Sequence, residues 1–150
     1  MSLRQQIDND IKQAMLAKDK QALEALRSIK SMILLAESEK GGSGEITSET
    51  ENKLLMKAAK QRKESADIFQ KEGREDLAKQ EIFQLNIISS YLPKQLSEDE
   101  VKAELQRIIV QVGAQGPKDM GKVMGMATKQ LAGKADGKLI SDWVKKLLGS

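Results

Sequence analysis

The chain has no cysteine and no histidine. The first absence rules out disulfides, thiolate zinc sites and a cysteine nucleophile. The second removes the most common general base and the most common metal ligand. Aromatic residues make up only 3% of the 150 positions, so a core has to be built from Leu, Ile, Val, Met and Ala. Only two prolines interrupt long Lys/Glu/Gln/Ala stretches, a composition that suits helix-on-helix packing. No apolar run approaches the roughly 20 residues of a membrane span. The opening MSLRQQIDND has no apolar h-region of the kind a secretory signal needs. The expectation is a soluble cytoplasmic protein with no membrane association, long enough for one medium domain or two small ones.

What the chain has in quantity is charge, unevenly placed. Between Gly113 and Ser150 seven lysines stand against three aspartates, a local excess of +4. Met1 to Val112 carries 18 basic and 19 acidic residues and is nearly neutral. Charge gathered at one end of a globular chain suggests a surface that faces a polyanion, with nucleic acid the first candidate.

Hydrophobic spacing predicts helices throughout, and no strand alternation exceeds chance. Leu3, Ile7, Ile11, Ala14 and Met15 make the inner face of a first helix ending near Lys18. Lys20 to about Lys40 continues with Leu23, Leu26, Ile29, Ile33 and Ala36, and the run Met32-Ile33-Leu34-Leu35 marks this helix as central. Gly41-Gly42-Ser43-Gly44 reads as a flexible loop and, with no following lysine or preceding strand, not as a phosphate loop.

Thr47 or Ser48 caps a long helix reaching toward Glu72, with Leu55, Ala58, Arg62, Ala66 and Phe69 on one stripe and Gly73 as its C′ residue. Lys60–Glu64 and Lys63–Asp67 are spaced to neutralise the Lys60-Gln61-Arg62-Lys63 cluster. Arg62 lies on the apolar stripe, where it either snorkels or pairs with a carboxylate across the bundle. A fourth helix runs from about Arg74 to Ser90, with Leu77, Ile82, Leu85 and Ile88 inward, and Leu92-Pro93 ends it.

Ser97-Glu98-Asp99-Glu100 is a capping box, with Leu96 and Val101 at the hydrophobic-staple positions of a helix running to about Val112. A helix from near Pro117 buries Met120, Val123, Met124, Ala127 and Leu131. Asp136 caps a last one with Leu139, Ile140, Trp143, Val144 and Leu147 inward. The expected fold is therefore all-α. An N-terminal four-helix part, residues 1–92, is followed by a small C-terminal three-helix domain, residues 93–150, after a proline-marked joint near 92–96.

The basic end has a definite geometry. Lys118, Lys122, Gly125 and Lys129 fall at i, i+4, i+7 and i+11, one helical stripe, and Gly125 leaves backbone bare between lysines for a phosphate or sugar. Lys134 and Lys138 flank the start of the last helix, whose N–H groups favour anions. Lysine supplies phosphate contacts rather than base readout. The plainer reading is a solvated lysine face whose glycines serve tight helix packing, and Gly121–Gly125 as GxxxG reads most simply as two helices packed closely in water. Trp143 can stack on a base, but its spacing with Ile140 and Leu147 places it in the core. Tyr91 reads as a packing residue with a satisfied hydroxyl. No nucleophile, general base, metal-ligand cluster or cofactor motif is identifiable, so no catalytic residue, metal or cofactor is assigned.

The segments KQRKESADIFQKEGREDLAKQE (60–81), YLPKQLSEDE (91–100), PKDMGKVMGM (117–126) and ADGKLISDWVKKLL (135–148) together resemble the GatB/YqeY family, closely its free-standing YqeY-like members, over essentially the full length. The last three resemble the tail of the B subunit of the glutamine-dependent aspartyl/glutamyl-tRNA amidotransferase. The resemblance implies an all-helical protein whose small C-terminal domain, like that tail, helps hold tRNA. It makes Lys118, Lys122, Lys129, Lys134 and Lys138 tRNA-backbone candidates. It also implies a link to carbon–nitrogen ligase activity with glutamine as amido donor. The matching segments are those of the tail, which carries neither the amidase Ser-Ser-Lys machinery nor the ATP- and metal-binding body. The expectation is thus a non-catalytic tRNA-binding accessory protein, with an amidotransferase or another protein as possible partner. The rival expectation is a helical protein–protein adaptor or homodimer without RNA binding, exposing apolar area on the 20–40 or 74–92 helix.

Overall fold

A computed structural model describes residues 2–39 and 46–149; the Gly41–Gly44 loop read from the sequence lies outside the described residues. All regular structure among the described residues is helical. In order these are α1 (Leu3–Leu16), α2 (Lys20–Glu39), α3 (Ser48–Lys71), α4 (Glu75–Ser89), α5 (Glu98–Val112), a 3-10 turn (Pro117–Asp119), α6 (Met120–Gln130) and α7 (Gly137–Leu148). The chain divides into two compact units, Met1–Leu92 and Pro93–Ser150.

In the first unit the helix starts follow local chemistry. Ser2 and Gln5 form a capping box on α1, and Thr47 accepts from the Thr50 N–H to open α3. The core gathers Leu3, Ile7 and Ala14 of α1, Leu26, Ile29 and Ile33 of α2, Leu55 and Ala58 of α3, and Ile88 of α4. Farther along, Ala66 and Ala78 are buried, where small side chains let α3 and α4 approach closely. Arg62 resolves toward pairing: its Nη1 donates to Glu81 Oε2 at 3.1 Å, from α3 to α4. Arg4–Glu37 at 3.0 Å and Lys30–Asp8 at 2.7 Å tie α1 to α2. The Tyr91 hydroxyl donates to Asp10, so the expected satisfied phenol has a named partner. Burial first, and the Asp10 carboxylate second, raise the phenol above its ordinary range.

Three sequence expectations are corrected here, the first being Ile82 of α4, which is 36% exposed instead of facing inward. Met15 is 56% exposed instead of facing inward. In the run expected to make α2 central, only Ile33 is buried; Leu34 is 40% and Leu35 63% exposed. A helix in contact with three others still has an outer face, and an apolar run longer than one turn necessarily reaches it.

The second unit is a three-helix core. Val101, Leu105 and Ile108 of α5 meet Val123 and Ala127 of α6 and Ile140, Val144 and Leu148 of α7, with Leu131 and Ala135 filling the α6–α7 turn. The capping box is complete. Ser97 Oγ accepts from the Glu100 N–H at 3.2 Å, and the Ser97 N–H donates to Glu100 Oε1 at 3.1 Å. Gly113 closes α5 at φ +70, a left-handed conformation that a side chain would strain. The Leu96 N–H donates to the Lys134 carbonyl at 2.9 Å and Gln95 Nε2 to the Gly133 carbonyl at 2.6 Å, pinning the 93–97 segment to the α6–α7 turn.

The Glu100 carboxyl is held below its ordinary value, first by the Ser97 backbone N–H and then by the Ser97 side chain. A depressed carboxyl stabilises the fold above its unfolded value and loses that contribution as pH falls through the folded one. Ser97→Ala is expected to cost about 1 kcal/mol at neutral pH. Glu100→Gln, which cannot titrate, is expected to differ less from the parent chain below about pH 4 than at pH 7. Urea denaturation of the full chain at both pH values checks the two together.

Candidate nucleic-acid interface

Helix α6 has a single buried stripe, Val123 and Ala127, flanked by the half-buried Met120 and Met124. The 3.6-residue period turns the other positions outward. Lys122, Gly125 and Lys129 are exposed on α6, as is Lys118 in the 3-10 turn before it. Lys134, in the turn after α6, and Lys138, in the first turn of α7, are exposed as well. Among the described residues, no ion pair or side-chain hydrogen bond involves Lys118, Lys122, Lys129, Lys134 or Lys138.

Nearby carboxylates are engaged with backbone. Asp119 Oδ2 accepts from the Gln115 N–H at 2.9 Å, and Asp136 Oδ1 accepts from the Lys138 N–H at 3.3 Å as the cap of α7. The N-terminus expected to favour anions therefore already holds a carboxylate, which leaves the lysine side chains as the positive elements there.

The glycines carry a second correction. A Cβ built at Gly121 or Gly125 would meet no heavy atom within 4 Å, and both positions are exposed. Gly121–Gly125 is thus not a site of tight helix packing; α6 packs through the opposite stripe. Neither glycine lies in the positive-φ region. Gly125, in the interior of α6, costs roughly 1 kcal/mol of helix stability relative to alanine, with no steric reason among the described residues.

Trp143 sits at the rim of the core and not within it. It is half-buried, packed on one side against the α5–α6–α7 cluster. Its Nε1–H donates to Glu98 Oε1 at 3.0 Å. The ammonium groups of Lys102 and Lys146 lie 5.1 and 4.9 Å from the ring centroid. The spacing with Ile140 and Leu147 placed Trp143 inward, but α5 supplies charged partners that helical periodicity on α7 cannot reveal. Among the described residues there is no group of three or more His, Cys, Asp or Glu placed to hold a metal ion. No helix among them is long and apolar enough to cross a membrane.

A family model described as Yqey-like protein matches residues 4–148 of this chain. Two curated relatives are both named altered inheritance of mitochondria protein 41, mitochondrial. The one from Pyrenophora tritici-repentis is 29% identical over 145 residues, covering 94% of this chain and 78% of the relative. The one from Clavispora lusitaniae is 32% identical over 136 residues, covering 89% and 74%.

Because the α6 glycines are helical, exposed and uncrowded, Gly125→Ala is expected to raise stability by about 0.5–1 kcal/mol. Thermal or urea unfolding of the full chain measures it. An unchanged or lowered stability would mean that some contact of the folded chain needs the bare backbone.

Proposed function

The chain belongs to the YqeY-like family, and from that premise we propose that it is an RNA-binding accessory protein. Its ligand is tRNA, and it grips the phosphate backbone by shape and charge. The observation that carries this reading is the outer face of α6, where backbone is bare at Gly121 and Gly125 between lysines that have no carboxylate partner. A phosphate or ribose can come closer to such a helix than to one covered by side chains. Unpaired lysines around it supply the counterion-releasing contacts that dominate non-specific affinity. Lys134 and Lys138 extend the same surface toward α7.

The resemblance of the second unit to the amidotransferase B-subunit tail sets the proposed context, tRNA-dependent amidation with glutamine as amido donor. In that setting this chain holds tRNA while a partner carries the carbon–nitrogen ligase chemistry. The proposed compartment is the cytoplasm, although the two fungal relatives are named as mitochondrial proteins.

A second reading has its own support. Leu34 and Leu35 on α2 leave apolar area exposed in the first unit, as an adaptor or homodimer using these helices requires.

The RNA reading predicts that tRNA binding by the full chain, followed by fluorescence anisotropy, weakens linearly in log–log form as salt rises. Lys122→Glu with Lys129→Glu is expected to lower the magnitude of that slope by about 1.8 or more without changing helix content. Normal tRNA binding by the folded double variant would sink the assignment of this face. For the second reading, sedimentation of the purified chain is expected to give a dimer that Leu35→Glu converts to monomer. A monomeric parent chain would dispose of the homodimer.

A further inference from the structure

We infer that the α5–α7 edge is a second nucleic-acid site, which takes one unpaired nucleotide with its base stacked on Trp143 and its phosphate held by Lys102 or Lys146. The inference rests on the reading of this protein as RNA-binding and deepens it, because it names the part of the RNA that is recognised.

Trp143 is the only tryptophan in the chain, and the core of the second unit does not enclose it. Ile140, Val144 and Leu148 fill the inward positions of α7, leaving the indole half-buried at the rim. One edge of the ring is anchored, because its Nε1–H donates to Glu98 Oε1 at 3.0 Å. The ring is therefore held in place before any ligand arrives, and a preorganised aromatic surface loses little freedom on binding.

The groups around the ring are those that nucleotide binding uses. Lys102 lies one turn beyond Glu98 on α5, and Lys146 one turn beyond Trp143 on α7. Both ammonium groups rest over the indole, at 5.1 and 4.9 Å from its centroid. Neither makes an ion pair among the described residues. An exposed cation–π contact is weak compared with base–aromatic stacking. An arriving base can displace an ammonium from the ring, and that ammonium, still tethered beside it, is placed for the attached phosphate.

A base can stack on this ring only if it is free of its own helix. The site therefore selects single-stranded or splayed nucleotides and does not read a duplex. In this it differs from the α6 face, whose lysines read backbone charge in any form. Trp143 also reports on its own site, since its emission is the sole tryptophan signal of the chain.

The test titrates the full chain with a short single-stranded RNA oligonucleotide and, separately, with a blunt RNA duplex of the same strand length. Tryptophan emission and anisotropy are recorded together. The single strand is expected to quench Trp143 saturably, and the duplex to bind without quenching. Trp143→Leu is expected to weaken single-strand binding roughly fivefold to hundredfold and to leave duplex binding unchanged. Trp143→Phe, which keeps a ring, retains most of the single-strand affinity and controls for folding. Lys102→Gln with Lys146→Gln is expected to lower the single-strand salt slope by about 0.7, the loss of one phosphate contact.

Single-strand binding without quenching, or undiminished in a folded Trp143→Leu variant, overturns this inference while the RNA reading stands. If neither RNA binds, the RNA reading fails and this inference falls with it.

Discussion

The aliphatic core of the second unit decides where its charges stand. Each of its three helices gives one narrow stripe to the interior: Val101, Leu105 and Ile108 from α5, Val123 and Ala127 from α6, Ile140, Val144 and Leu148 from α7. Among the described residues no polar or charged side chain is buried, as expected where an unpaired buried charge would cost several kcal/mol. Once α6 commits Val123 and Ala127 inward, positions 122, 125 and 129 have nowhere to go but solvent. The outer face is therefore a consequence of core packing, and its lysines are turned outward by the residues of that core.

The two units use their surface charge differently. In the first, cations meet anions across helices: Arg4 with Glu37, Lys30 with Asp8, Arg62 with Glu81. Pairs that keep contact with solvent add little stability, on the order of 0–1 kcal/mol for the more open ones, but they cancel local field. In the second, Arg107–Glu104 is an ion pair within one helix turn, while Asp119 and Asp136 are spent on backbone N–H groups. Five lysines there remain without a partner among the described residues. An excess of positive charge left uncancelled acts at a distance of about a Debye length, roughly 8 Å at physiological salt.

Helix boundaries were legible because they depend on neighbours in sequence. Thr47 at the start of α3, the Ser97–Glu100 box at α5 and Asp136 at α7 act within three residues of their own position. The all-helical class and the family were legible as well, the family through four segments that no single spacing rule would connect. What the sequence did not disclose was which neighbour covers a given face. Leu34 and Leu35 sit in the same apolar run as Ile33, and only the three-dimensional contacts separate the buried one from the exposed two. Trp143 has core spacing on α7, but its actual partners, Glu98 and Lys102, are more than 40 positions away in sequence. For the candidate site, the exposure of the lysines follows from the 3.6-residue period. The openness of Gly121 and Gly125 does not, because GxxxG reads equally well as a packing motif.

That openness is the feature hardest to explain from folding alone. Gly125 in the interior of an 11-residue helix costs roughly 1 kcal/mol against alanine, and Gly121 in its first turn adds to that. A folded unit of about 60 residues has on the order of 3–9 kcal/mol in total. The cost is thus a sizeable share of the margin, and α6 persists because core packing of Val123, Ala127 and the flanking methionines overrides its weak propensity. An alanine Cβ at either position would meet no atom outside its own stretch of helix among the described residues. Stability alone does not account for bare backbone on this basic face. Among the described residues the packing of α6 requires neither glycine, and the lysines beside them have no partner that would cancel their charge.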